Sequence, residues 1–125
     1  MFELTINKEV YQFHFGMGFM REINKKVGTY VDGLPDVKKN MGLQYYVAGV
    51  IDGDVESLIE VLNVANKNQT PRVTQAVLDA YVDHEDTDID KLFEDVVDFL
   101  SKTNATKKVV NAMKEEVAKQ RAKQQ

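Results

Sequence analysis

Any chemistry in this chain would have to begin at its two histidines, because there is no cysteine and the serines are Ser57 and Ser101 alone. His84 lies in Tyr81-Val82-Asp83-His84-Glu85-Asp86, where an imidazole beside carboxylates could in principle ligate a hard divalent cation. Adjacent residues at a helix end point in different directions, and no second cluster supplies the missing ligands, so a solvated helix end is the better account. His14 falls on the outward face of a strand. Asp52-Gly53-Asp54-Val55-Glu56 has the opening grammar of a calcium loop, but Asn63 stands where the later acidic ligand is required. Gly16-Met17-Gly18 lacks a third glycine, and Arg21 is not the lysine of a P-loop. Neither serine sits in a nucleophile elbow or near a histidine in sequence. No catalytic, cofactor-binding or metal-binding residue is expected, and the chain reads as a non-enzyme.

What the sequence offers instead is a reversal of charge. From Asp79 to Asp98 there are nine carboxylates against Lys91 alone, a balance of −8, whereas Ser101 to Gln125 holds seven cations against Glu115 and Glu116, a balance of +5. An acidic folded face followed by a thinly apolar basic tail suits a device for holding another protein. The net charge of −4 argues against the whole molecule gripping nucleic acid, so no specific nucleic-acid partner is expected.

With 125 residues, 43% of them apolar, the chain fits one compact domain with a modest core. The start Met1-Phe2-Glu3-Leu4 has no basic region followed by an apolar run, and no apolar stretch is long enough to span a membrane. The expectation is a soluble cytoplasmic protein.

The elements that must position these charges follow from periodicity. Phe2, Leu4 and Ile6 alternate with polar residues, as do Tyr11, Phe13 and Phe15, which predicts two half-buried strands. A two-residue turn at Asn7-Lys8 places Leu4 opposite Tyr11 and Phe2 opposite Phe13, with both apolar sets on one face. Phe19, Met20, Ile23 and Val27 then follow helical spacing up to Gly28, and residues 33–36 read as a loop. A second helix is expected from about Val37 to Ile51 on Met41, Tyr45, Ala48 and Ile51, with Gly42 and Gly49 either weakening it or permitting close packing. Asp54 caps a third helix on Val55, Leu58, Ile59 and Leu62, and Thr74 a fourth on Val77, Leu78, Tyr81 and Val82. Asp88 caps the most regular one, where Ile89, Leu92, Phe93, Val96, Val97 and Leu100 form a stripe opposite Asp90, Glu94, Asp95 and Asp98. Met17, Phe19, Met20, Met41, Tyr45 and Tyr46 could line an adaptable groove but are better read as core.

After a break at Ser101 to Ala105, one apolar residue per turn remains, which anchors a helix poorly. The expected fold is therefore mainly α with an N-terminal β-hairpin (α+β): residues 1–104 form a helical domain of about five helices, and residues 105–125 a basic helical or disordered tail dispensable for folding. Val110, Met113, Val117, Lys107, Lys108 and Lys114 are its partner-binding candidates.

The order of these motifs resembles a known family. The run Leu4-Thr5-Ile6-Asn7-Lys8-Glu9-Val10-Tyr11-Gln12-Phe13-His14-Phe15-Gly16, then Gly18-Phe19-Met20-Arg21-Glu22-Ile23-Asn24-Lys25-Lys26, is similar to the opening of tail assembly chaperones of long-tailed bacteriophages and prophages. So are Ile51-Asp52-Gly53-Asp54 and Thr70-Pro71-Arg72-Val73-Thr74, each leading into an apolar helix, and Asp88-Ile89-Asp90-Lys91-Leu92-Phe93 leading into Ser101-Lys102-Thr103-Asn104-Ala105-Thr106. Lys8 departs from the family, which has Gly after the hairpin Asn, and residues 27–39 match only loosely.

The resemblance implies a non-catalytic protein of the host bacterial cytoplasm, absent from the finished tail and without a cofactor. It would bind the helix-rich tape measure protein, keep it soluble and help recruit tail tube protein, often alongside a longer frameshifted form. Repeated coverage of one long partner suggests a homo-oligomer. The competing readings are a tail or head-tail structural component, a small regulator whose basic tail meets nucleic acid, and, last, a hydrolase built on His84.

Overall fold

The computed structural model describes residues 1–31 and 33–123, with backbone alone at residues 30, 31 and 35–38. Strands β1 (Phe2–Ile6) and β2 (Glu9–Phe13) pair antiparallel, with Leu4 opposite Tyr11 and Phe2 opposite Phe13, as the alternation requires. Asn7 and Lys8 both take positive φ, 52° and 67°, the geometry of a tight primed turn. Lys8 occupies a left-handed position that costs an L-residue with a β-carbon roughly 1–2 kcal/mol. One face of the hairpin buries Phe2, Ile6 and Phe13, which an isolated two-stranded ribbon could not hold without the helices beneath.

Helix α1 (Met17–Asn24) buries Phe19 and Ile23 and ends four residues before Gly28. Gly28 instead opens a second hairpin, which the sequence reading missed: β3 (Gly28–Val31) pairs antiparallel with β4 (Leu34–Asn40), and Gly33 turns with φ 78°. The expected loop at 33–36 is thus a turn plus strand, and the expected helix from Val37 begins only at Gly42. Pro35 lies in a two-stranded ribbon, whose strands are both edges and so tolerate it.

Helix α2 (Gly42–Ile51) is the central element, packing against α1 and against three of the helices described below. Its core face is Leu43, Val47 and Val50 rather than the expected Met41, Tyr45, Ala48 and Ile51, and Tyr45 is 59% exposed. The register moves because glycine sets the contacts. A β-carbon at Gly42 would overlap the Ile23 carbonyl of α1, and one at Gly49 would overlap the Ser57 hydroxyl of α3. Gly42 lets the backbones of α1 and α2 approach closely, and Gly49 lets the Ser57 side chain seat against the α2 backbone.

Helix α3 (Val55–Ala65) carries Leu58, Val61, Leu62, Val64 and Ala65 into the core. Its C-cap, Asn66, is fully buried with its amide saturated. The Asn66 Nδ2 group donates to the Gln12 carbonyl of β2 at 2.8 Å and to the Pro71 carbonyl at 3.2 Å. Its Oδ1 accepts from the Val73 amide at 2.6 Å and from Arg72 at 3.0 Å. Beside it, the His14 amide donates to the Ala65 carbonyl at 2.8 Å. Helix α4 (Gln75–Asp83) follows, its N-cap Thr74 accepting from the Val77 amide, then α5 (Ile89–Lys102) and α6 (Lys107–Lys123).

Two expectations follow. Lys8→Gly should raise stability by about 1 kcal/mol in denaturant unfolding, since it removes the left-handed penalty. Asn66→Asp puts an anion against two carbonyl oxygens and leaves both without a donor, so it should cost about 3 kcal/mol or more, and a loss below about 1 kcal/mol would contradict the buried network.

Candidate functional site

Helix α5 starts where the sequence places it, with the Asp88 carboxylate accepting the Lys91 amide at 3.1 Å. Its apolar stripe divides in two. Leu92, Val96 and Leu100 enter the common core, whereas Ile89, Phe93 and Val97 are only half-buried on the flank. Phe99 is 37% exposed but stacks edge-on against Phe2 at 5.1 Å, tying α5 to the first hairpin. On the polar side Lys91 bonds Asp95 at 3.0 Å, an interaction that holds its ammonium above the ordinary lysine range, and Lys102 bonds Asp98 at 2.9 Å. Asp90 and Glu94 are exposed, and among the described residues neither has a cation at ion-pair distance.

The junction to α6 is buried. The Thr106 hydroxyl, 1% exposed, donates to the Leu100 carbonyl at 2.6 Å, and Asn111 donates to the Ser101 carbonyl at 3.2 Å. These bonds turn the chain back so that α6 packs against both α5 and α2. Val110 is 0% exposed and belongs to the core. The expected boundary at residues 104/105 falls within this joint, and Val110 packs in the core beyond it. A single apolar residue per turn suffices here because it lands between two helices at once.

The remaining candidates separate along α6. Met113 and Val117 are half-buried, Lys107 and Lys108 are exposed in the first turn, and Lys114 is exposed on the lip of a groove. That groove, about 730 Å³, runs between α5 and α6 with the end of α2 as its floor. Val50, Ile51, Phe93, Val97, Val117 and Ala118 give it an apolar lining. One wall carries Asp90, Glu94 and Asp98, and the other Lys114 and Arg121. Among the described residues no ion pair joins the two walls. Phe93, Val97 and Ile51 were expected as apolar face positions and Arg121 only as one of the tail cations, none of them as a partner contact, and Val50 was not singled out. The α5 stripe has the ordinary width of a core-facing helix, so its spacing alone gave no sign that Phe93 and Val97 would be left only half-buried.

The other chemical motifs stay apart. His84 is exposed at the end of α4, accepting the Asp86 amide on Nδ1 at 3.1 Å, with the Asp86 carboxylate 3.9 Å away. Among the described residues no three His, Asp or Glu side chains converge as a metal site would need. Asp54 stands at the N-cap position of α3, where its carboxylate accepts the Ser57 hydroxyl at 2.6 Å and makes no side-chain hydrogen bond to the helix amides. Phe19 is core, but Met17 is 46% exposed and Tyr45 stacks edge-on with Tyr46 at the surface, so the Met and aromatic set is not all core.

Residues 3–115 match the family model for phage tail assembly chaperone protein, TAC. The match covers both hairpins, all of α1 to α5 and the buried half of α6, and the chain belongs to this family. Comparison with curated proteins and with solved structures found no significant match in either. Among the described residues no helix is long and apolar enough to cross a membrane.

The division of α6 into an anchored and an exposed part can be measured. Val110→Ala should cost about 2 kcal/mol of unfolding free energy, whereas Lys108→Ala and Lys114→Ala should each stay within about 0.5 kcal/mol. Equal small losses at all three would detach α6 from the body.

Proposed function

We propose that this chaperone is non-catalytic, binds the tape measure protein of the phage tail, keeps it soluble before assembly and helps recruit tail tube subunits around it. It acts in the host bacterial cytoplasm and is absent from the finished virion. The observation that carries this reading is the groove between α5 and α6, a half-exposed apolar strip between walls of opposite charge. A tape measure protein presents a long apolar helical surface until the tube encloses it, and such a surface aggregates unless covered. Amphipathic helices are held by grooves of this kind.

Within this reading Met113, Val117 and Lys114 contact the partner, Lys107 and Lys108 add positive potential near the joint, and Val110 keeps α6 in place. One molecule covers only a short part of a long helix, so many copies act together, and self-association between them completes the coat. The strongly charged surfaces keep such an assembly in solution.

Coexpression of the intact chain with a tape measure fragment tests this directly. The fragment should remain in the supernatant and copurify, and rising salt should weaken the complex because charges border the contact. A fragment that aggregates equally with and without the protein would refute the reading.

A further inference from the structure

We propose that the α5–α6 groove accepts one amphipathic helix with split edges, cations along one border of its apolar stripe and carboxylates along the other, and that this split fixes the direction in which the helix lies. The proposal rests on the chaperone reading for the partner's identity, a helical segment of the tape measure protein, and on the groove alone for its chemistry.

Three features of the groove lead there. Its apolar side chains are neither buried by α6 nor fully in water: Phe93, Val97 and Val117 are each half-exposed. Asp90 and Glu94 on one lip, and Lys114 and Arg121 on the other, face the same space without neutralising each other. The wall from Asp90 to Asp98 spans about 12 Å at the rise of an α-helix, enough for roughly two turns of a partner helix. An occupant lacking charge would leave both lips unpaired, and one charged alike on both edges would be repelled by one wall. A helix basic on the α5 side and acidic on the α6 side pairs with both. Turning it end for end exchanges its edges and sets like charges together, so only one direction is allowed.

The test uses the full chain and two synthetic helical peptides of identical composition, one with split edges and one with both signs mixed on each edge. Fluorescence anisotropy should show the split peptide binding about tenfold more tightly, the size expected when a few exposed pairs change sign. Asp90→Lys with Glu94→Lys, or Lys114→Glu with Arg121→Glu, should weaken it about tenfold. Combining all four should restore binding with the peptide reversed, so that a spin label at its N-terminus broadens amide signals at the opposite end of the groove. All four side chains are exposed, and unfolding curves would verify that the variants fold; the comparison of the two peptides needs only the unaltered protein.

Equal binding of both peptides, or indifference to either wall reversal, would overturn the proposal. So would concentration-dependent self-association that both wall variants abolish in the absence of peptide, which would make a second copy the occupant. If the unaltered protein and both wall variants all hold a tape measure fragment in solution, the groove proposal falls and the chaperone reading stands. If the split peptide binds as expected but the fragment is not held, the groove proposal stands and the tape measure reading falls.

Discussion

The saturated amide of Asn66 is the constraint on which the rest of the architecture depends. A buried carboxamide can make two donations and two acceptances, and here all four are made: to the Gln12 carbonyl of β2, to the Pro71 carbonyl, and from Arg72 and Val73. Because one partner lies in β2 and the other three in residues 71–73, one side chain fixes where the first hairpin, the end of α3 and the approach to α4 meet. The consequences run outward. The hairpin places Phe2 and Phe13 on the core, Phe2 receives Phe99, and α5 is held in the position from which α6 folds back.

Charge organises the other side of the molecule without stabilising it much. The ion pairs on α5 lie between residues one turn apart at the surface, where such pairs contribute a few tenths of a kcal/mol. The lysines in the first turn of α6 sit at the positive end of the helix dipole, an arrangement that helix stability alone would disfavour. Cohesion comes instead from buried apolar contacts and from the Thr106 hydroxyl at the joint. Surface charge in this protein is therefore free to serve recognition.

Much of this was legible in the sequence because the determinants were local. The first hairpin follows from strict alternation and a two-residue turn, and the starts of α4 and α5 from Thr74 and Asp88, each of which bonds a backbone amide one turn on. The second hairpin was not legible, since its pairing joins residues that lack alternation and include Pro35. The phase of α2 was misread for a different reason: Gly42 and Gly49 fit either a weakened helix or close packing, and only Ile23 and Ser57 standing against them decide for close packing. In α6 a narrow stripe signalled weak anchoring, yet Val110 is fully buried, because burial depends on what lies opposite a residue as well as on its spacing. The acidic wall of the groove was legible as the polar face of α5, while its basic wall and the partial exposure of Phe93 and Val97 required knowing that the chain turns back at Thr106.

That turn leaves α6 pinned near its beginning and progressively more exposed toward its end, which makes it a cantilever. From Val110 to Lys123 the arm is about 20 Å long at 1.5 Å per residue. A tilt of about 10° at the pinned joint would move the far end by roughly 3–4 Å on that length, comparable to the difference between a slender and a bulky side chain on a guest helix. The opposite wall has no such freedom, because Leu92, Val96 and Leu100 root α5 in the core along its length. The groove thus has one wall rooted in the core along its length and one wall anchored chiefly at its beginning.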